Sequence, residues 1–289
     1  MRISIDISNN YHKSYAIVSN YEGFDIKQEK WQLTLGRKCI TDLLSIVKKF
    51  PDAEQVIFSF DAKNENFRKA LNKTYKANRT KKEQEFYDLL DEIYNIFLHK
   101  GYNAIRIEGL EADDILALSR ESAKNMFCVL VSNDEDIRQL VNCRTVVFTA
   151  NTNNYKLYCD TLNTVAKNIP EMVPAAQSIN PDLILFEKLL LGCQGDNVER
   201  LLPKGHGPQK VKKIYELVYN DEYDLENALK QCGYDITYEL IRNQYNLVGL
   251  SSIHMPDKLV EQFYQIEINS KKVDTEMKTL LSNTRFITR

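Results

Sequence analysis

Apolar residues along this chain follow two periods. Ile3, Ile5 and Ile7 alternate with polar neighbours, as in a short strand. Val56-Ile57-Phe58-Ser59-Phe60 and the run 126–131 are nearly continuous apolar stretches, and 103–107 and 145–148 are shorter strand candidates. Between them the spacing becomes helical. It predicts helices over 39–50 (Leu43, Leu44, Ile46, Val47, Phe50), 83–99 (Phe86, Leu89, Leu90, Ile93, Ile96, Phe97) and 112–123 (Ile115, Leu116, Leu118). Continuous apolar strands separated by helices predict an α/β fold, with a parallel sheet covered on both faces. Past about residue 180 the pattern is helical only, at 182–191, 209–218, 238–246 and 258–266, with Pro181, Pro208 and Pro256 at plausible helix starts. A loop-rich junction with Asn151, Thr152, Asn153 and Asn154, then Pro170 and Pro174, separates the halves, so domains are expected at 1–180 and 181–289. The last ten residues, 280–289, read as a frayed terminus.

Composition narrows the class. The 289 residues include 38 Lys plus Arg against 40 Asp plus Glu, a formal charge of −2, with 43% apolar and 27% charged residues. That is ordinary globular composition and excludes a disordered tail protein. No apolar run approaches the roughly 18 residues of a membrane span. The apolar N-terminal stretch is too short for a signal peptide, so a cytoplasmic protein with no membrane partner is expected. The six cysteines (Cys39, Cys128, Cys143, Cys159, Cys193, Cys232) include no Cys-x-x-Cys pair, which excludes a zinc ribbon and predicts reduced thiols.

The acids are unevenly placed. Asp6 lies late in the first strand, and Asp61 ends the second apolar run. Glu111, Asp113 and Asp114 open the helix after the third strand, and Asp134 and Asp136 follow Val129-Leu130-Val131-Ser132. In open parallel α/β sheets, sites form outside the carboxyl ends of the strands. A parallel sheet would therefore gather these four sets in one crevice. Carboxylates so gathered repel one another unless cations neutralise them, and oxygen-only donors suit Mg²⁺ or Mn²⁺. Taken singly, Asp134 could equally cap a helix, and Asp113 and Asp114 could be ordinary first-turn acids. Asp6, inside an Ile-rich strand, is costly to bury without a partner.

Between Asp61 and Glu83 lie Lys63, Arg68, Lys69, Lys73, Lys76, Arg79, Lys81 and Lys82, interleaved with Phe67 and Tyr75 and opposed only by Glu65. Most charge runs are solvated faces. This one begins beside the expected acidic crevice, which favours phosphate neutralisation and base stacking on a nucleic acid.

Six segments in order, covering about residues 3–214, resemble the structure-specific 5′-nuclease superfamily: flap endonucleases, the 5′-nuclease domain of bacterial DNA polymerase I and the phage ribonuclease H type of exonuclease. They are Ile5-Asp6, Phe60-Asp61, Tyr75-Lys76-Ala77-Asn78-Arg79, Glu111-Ala112-Asp113-Asp114, Ser132-Asn133-Asp134-Glu135-Asp136 and Gly195-Asp196-Asn197. The later Asn246-Leu247-Val248-Gly249-Leu250 run, followed by Pro256, looks most like the phage branch. The resemblance implies a PIN-like, mixed but mainly parallel sheet flanked by helices. It also implies a helical arch over about 62–99 and a C-terminal helical domain with a helix-hairpin-helix-like element at 196–215.

By the same resemblance Asp6, Asp61, Glu111, Asp113, Asp114, Asp134, Asp136 and Asp196 map onto metal-binding carboxylates, and Lys76, Arg79 and Asp113 onto the catalytic centre. Arg68, Tyr75, Lys76, Arg79, Lys204, Gly205, Gly207 and Lys210 map onto DNA contacts. It implies two Mg²⁺ sites, with Mn²⁺ able to substitute, and a K⁺ ion at the Gly205–Gly207 hairpin. The expected protein is a monomeric 5′→3′ exonuclease and flap endonuclease acting on DNA flaps, nicks and RNA primers in replication. Its expected partners are a single-strand-binding protein and a sliding clamp. Two features depart from the family pattern: Cys193 stands where relatives carry a carboxylate, and His206 sits between the hairpin glycines. A neutral thiol is a poor Mg²⁺ ligand. The alternatives are an RNA-processing nuclease of the same fold and a DNA-binding scaffold with weakened catalysis.

Overall fold

The computed structural model describes residues 1–64, 66–150, 154–220, 223–266 and 268. Glu65, the Asn151-Thr152-Asn153 junction and the 280–289 terminus lie outside the described residues. Seven strands form one sheet in the order β3-β2-β1-β4-β5-β6-β7. They are β1 (Arg2–Asp6), β2 (Gln55–Ser59), β3 (Asn103–Ile105), β4 (Cys128–Val131), β5 (Thr145–Ala150), β6 (Tyr155–Cys159) and β7 (Ala176–Ser178). Every neighbouring pair is parallel except β5 with β6. The sheet is thus mixed and mainly parallel, as expected. β6 and β7 are additions that the hydrophobic pattern did not signal; β7 is three residues long and mostly exposed.

Side chains alternate across the sheet. Ile3, Ile5, Phe58, Val129, Val131, Val146 and Phe148 pack with α1 (Ile7–Val18), α2 (Glu29–Val47) and α4 (Gln84–His99). Ile57, Ile105, Leu130 and Val147 pack on the other side with α5 (Ala112–Ser122) and α11 (Asp257–Tyr264). Both faces are covered, which is why these strands read as unbroken apolar runs. The alternating pattern carried the first strand through Ile7, but β1 stops at Asp6. The Asp6 carboxylate accepts the Asn9 N–H at 2.8 Å and so caps α1, making Ile7 a helical residue.

A third apolar cluster joins α7 (Pro181–Leu191), α8 (Pro208–Asn220), α9 (Leu225–Gln231) and α10 (Tyr238–Val248) through Leu190, Val211, Ile214, Leu229 and Ile241. α11 leaves this cluster and returns to α5 and the sheet, with Phe263 buried there. The 62–99 segment, expected as one arch, divides in two. α4 is a layer helix whose Phe86, Leu89, Ile93 and Phe97 are buried in the first core. The part containing α3 (Phe67–Leu71) and the turns through Arg79 bridges the N-terminus of α5 and the 192–197 loop. Among the described residues no helix is long and apolar enough to cross a membrane.

Candidate active site

The register sets Asp6 of β1 beside Ser59 of β2, and Ile5 beside Val131 of β4. The chain therefore leaves three adjacent strands at one rim, where the order turns from β1 to β4, and Asp6, Asp61 and Asp134 emerge together. Asp6 is almost fully buried, at 4% exposure. Its second oxygen accepts the Ser132 hydroxyl at 3.0 Å. Asp61 Oδ1 accepts the Ala112 N–H at 2.8 Å, which ties β2 to the first turn of α5. Asp134 Oδ1 accepts the Asp136 N–H at 2.9 Å and shapes the short 3-10 turn Asp136–Leu140. Among the described residues no donor hydrogen-bonds Asp113, which is partly buried.

Basic side chains meet most of the other acids. Lys76 Nζ bonds Glu111 Oε1, and the Tyr75 hydroxyl donates to Glu111 Oε2 at 3.1 Å. Arg79 Nη2 lies 2.5 Å from Asp196 Oδ1. Lys188 Nζ lies 2.5 Å from Asp136 Oδ1. Arg68 grips Asp114 with both terminal guanidinium nitrogens, at 2.8 and 2.7 Å. Lys76 holds φ at +55°, unusual for a residue with a side chain, and its N–H donates to Asp196 O at 2.8 Å. That backbone bond, Asn78 Nδ2 to Gln194 O and Asn197 Nδ2 to Thr74 O fasten the basic segment to the 192–197 loop.

The charges do not all cancel. Burial, then Asp61, pushes the Asp6 carboxyl up to about 7, against the hydrogen bonds from Asn9 and Ser132. Burial, then Asp6 and Asp134, raises Asp113 well above the carboxylate range, and Lys76 offsets this only in part. Glu111 is held below its ordinary value, because Lys76 and Arg68 outweigh the effect of burial. Asp136 is raised by burial and Asp134 despite Lys188. Among the described residues no three His, Cys, Asp or Glu side chains stand ready-closed around a metal ion. The donor set nonetheless fits a hard divalent cation. It is all oxygen, and two of its buried carboxyls carry repulsion that such a charge would relieve.

Three expected roles meet a different geometry. Arg68, expected on phosphate, is 2% exposed and also donates to Leu247 O at 3.0 Å, so it has no free face for DNA. Asp114, expected as a metal ligand, is fully buried with both oxygens on Arg68, and also accepts the Glu111 N–H at 3.0 Å. Tyr75, expected against an unpaired strand, is 3% exposed and belongs to the helical core. Lys204 and Gly205 are exposed in the loop before α8, and Gly205 has φ +93°. Neither Gly205 nor Gly207 has an atom within 4 Å of where a Cβ would stand, so a phosphate can approach the backbone closely. His206 packs edge-on against Tyr234, and Lys210 lies over the same ring at 5.4 Å. Lys188 went unnoticed in the sequence. Its signal was a lysine inside the apolar run Leu183–Leu191, five residues before Cys193.

Residues 2–168 match the family described as the 5′-3′ exonuclease, N-terminal resolvase-like domain. Curated relatives agree. A 5′-3′ exonuclease of Buchnera aphidicola subsp. Schizaphis graminum is 29% identical over 157 residues, 53% of this chain and 50% of that one. The DNA polymerase I of Treponema pallidum is 29% identical over 186 residues, 60% of this chain but 18% of the polymerase. The chain thus spans half or less of the length of these relatives. Among solved structures, the bacteriophage T5 flap endonuclease in a complex with DNA and metal ions superposes with a TM-score of 0.60 at 16% identity, covering 100% of this chain and 99% of that one. The T5 5′-exonuclease with bound zinc gives 0.58 at 16% identity, covering 92% and 99%. At that identity the likeness concerns the fold.

Proposed function

The chain belongs to the 5′-3′ exonuclease family defined by that resolvase-like domain, and on this premise we propose that it is a divalent-metal-dependent 5′→3′ nuclease of the ribonuclease H type. Its substrates would be DNA with a 5′ flap or nick and RNA primers on DNA, with a role in replication. One observation carries the reading: acids from the ends of β1 and β2, the start of α5 and the turn after β4 meet at one rim, with Lys76 and Arg79 laid across them.

Asp6, Asp61, Glu111 and Asp113 would hold a Mg²⁺ ion, for which Mn²⁺ could substitute, and that charge would polarise the phosphodiester and acidify a bound water. The protein groups do the rest. Lys76 and Arg79, now paired with Glu111 and Asp196, are the cations of the site nearest the rim acids. They would turn to phosphate oxygens and stabilise the charge that grows there, usually the largest catalytic effect. Arg68 and Asp114 act from behind, fixing the first turn of α5 from which Glu111 and Asp113 project. The Gly205–Gly207 turn with Lys204 and Lys210 would seat the duplex backbone, with a K⁺ ion as one route to the phosphate.

The test incubates the full chain with a 5′-labelled flap duplex and Mg²⁺, beside Asp113→Asn and an EDTA control. Cleavage near the flap junction, lost in both controls, is the expected result. Tight binding without cleavage in Mg²⁺ and in Mn²⁺ would overturn it in favour of a DNA-binding scaffold. A parallel RNA-primer duplex sets the substrate preference.

A further inference from the structure

The acids of the rim form two groups with unequal charge. Asp6, Asp61, Glu111, Asp113 and Asp114 face two internal cations, Lys76 and Arg68, and keep three formal negative charges. Asp134, Asp136 and Asp196 face two, Lys188 and Arg79, and keep one. In this second group the position that could have restored the balance is Cys193. Its sulfur lies 3.9 Å from Lys188 Nζ, so one ammonium reaches both Asp136 and the thiol.

This placement is built into the fold. Lys188 projects from the last two turns of α7, which packs against the 3-10 turn carrying Asp136. Cys193 is pinned by reciprocal backbone bonds with Val198, 3.0 Å from its N–H to Val198 O and 2.9 Å in return. Gly192, just before it, has φ +67°, and a Cβ there would stand 2.5 Å from the carbonyl oxygens of Val198 and Glu199. The Cys193 backbone is therefore fixed beside Lys188, and only rotation about Cα–Cβ can move the sulfur.

The geometry points to Lys188 as a positioning residue, a built-in cation of the second acidic group, so that this chain holds one divalent ion tightly and a second only weakly. The inference rests on the nuclease reading and deepens it. Its physical basis is additive. Because the incoming ion is doubly charged, a fixed like charge beside it opposes binding even in a partly wet site, and a missing carboxylate withholds a similar attraction. Each change alone corresponds to at least about a tenfold loss in affinity.

The experiment counts Mn²⁺ ions on the folded full chain without DNA, from the spin-resonance signal of free Mn²⁺ during a titration. Wild type should bind one ion, with the second at least about tenfold weaker. Cys193→Asp and Lys188→Met should each tighten the second ion by about tenfold or more, and Asp113→Asn should remove the tight one. Two ions of equal affinity in wild type, or no tightening in either variant, would overturn the proposal. Survival of the tight ion in Asp113→Asn, with its loss in Asp136→Asn, would overturn it too. A folded wild type that binds no Mn²⁺ would overturn the nuclease reading itself, and the proposal with it.

Discussion

Arg68→Met removes one partner of an ion pair that has no access to water: Arg68 is 2% exposed and Asp114 0%. The pair is bidentate, and the same guanidinium donates to Leu247 O at 3.0 Å and Gly249 O at 3.3 Å. Methionine fills much of the volume but satisfies none of these acceptors. Breaking a buried pair from one side costs about 3–5 kcal/mol, because the remaining charge is left uncompensated. Against a total stability of about 5–15 kcal/mol, that is a large share. At about 2–4 °C per kcal/mol for a chain of this size, the melting temperature should fall by roughly 6–20 °C. Urea unfolding followed by circular dichroism reads the same quantity as a shifted midpoint. The double variant Arg68→Met with Asp114→Leu should recover more than half of the loss, since apolar replacement of both partners is often neutral. A single-variant loss below about 1 kcal/mol would refute the reasoning, as would a double variant no more stable than the single one.

Three further outcomes are expected. Lys76→Ala should lower single-turnover cleavage by about 100- to 1,000-fold while changing flap affinity by only a few-fold, because the lysine serves growing charge rather than docking; equal losses in cleavage and in fluorescence-anisotropy binding would make it a binding residue. In EDTA, stability should decline as pH rises from about 4 to about 7. A carboxyl whose folded pKa is raised, as Asp6 is to about 7, contributes stability present below its unfolded value of about 3.9 and lost as pH climbs through the folded one. Mg²⁺ should lift melting temperatures most at the alkaline end, and parallel pH profiles with and without it would contradict this. Gly192→Ala should cost about 2 kcal/mol or more, since φ is +67° and the new Cβ meets two carbonyl oxygens at 2.5 Å; an unchanged denaturation midpoint would show that the turn can relax.

The sequence was informative where chemistry and topology coincide. Acids at the ends of unbroken apolar strands must meet if those strands are parallel neighbours, and the register of β1 with β2 and β4 makes them so. What it hid was how the charges are shared. Arg68 and Asp114 are 46 residues apart, Arg79 and Asp196 are 117, and no local period links either pair. A basic run read as one surface patch is split by the fold into a buried clamp (Arg68), an internal ligand of Glu111 (Lys76) and an exposed arm (Arg79, with its side chain 56% exposed). The same sorting applies to the acids. Asp114 is spent on structure, Asp136 and Asp196 are met by cations from α7 and the basic segment, and Asp6 and Asp113 are the acids whose ionisation the protein does not offset. Charge left uncancelled under burial is the costly state, so it marks where an external cation gains most. By that criterion the proposed metal chemistry would centre on Asp6 and Asp113, with the Asp136–Lys188–Cys193 corner tuning it from the side.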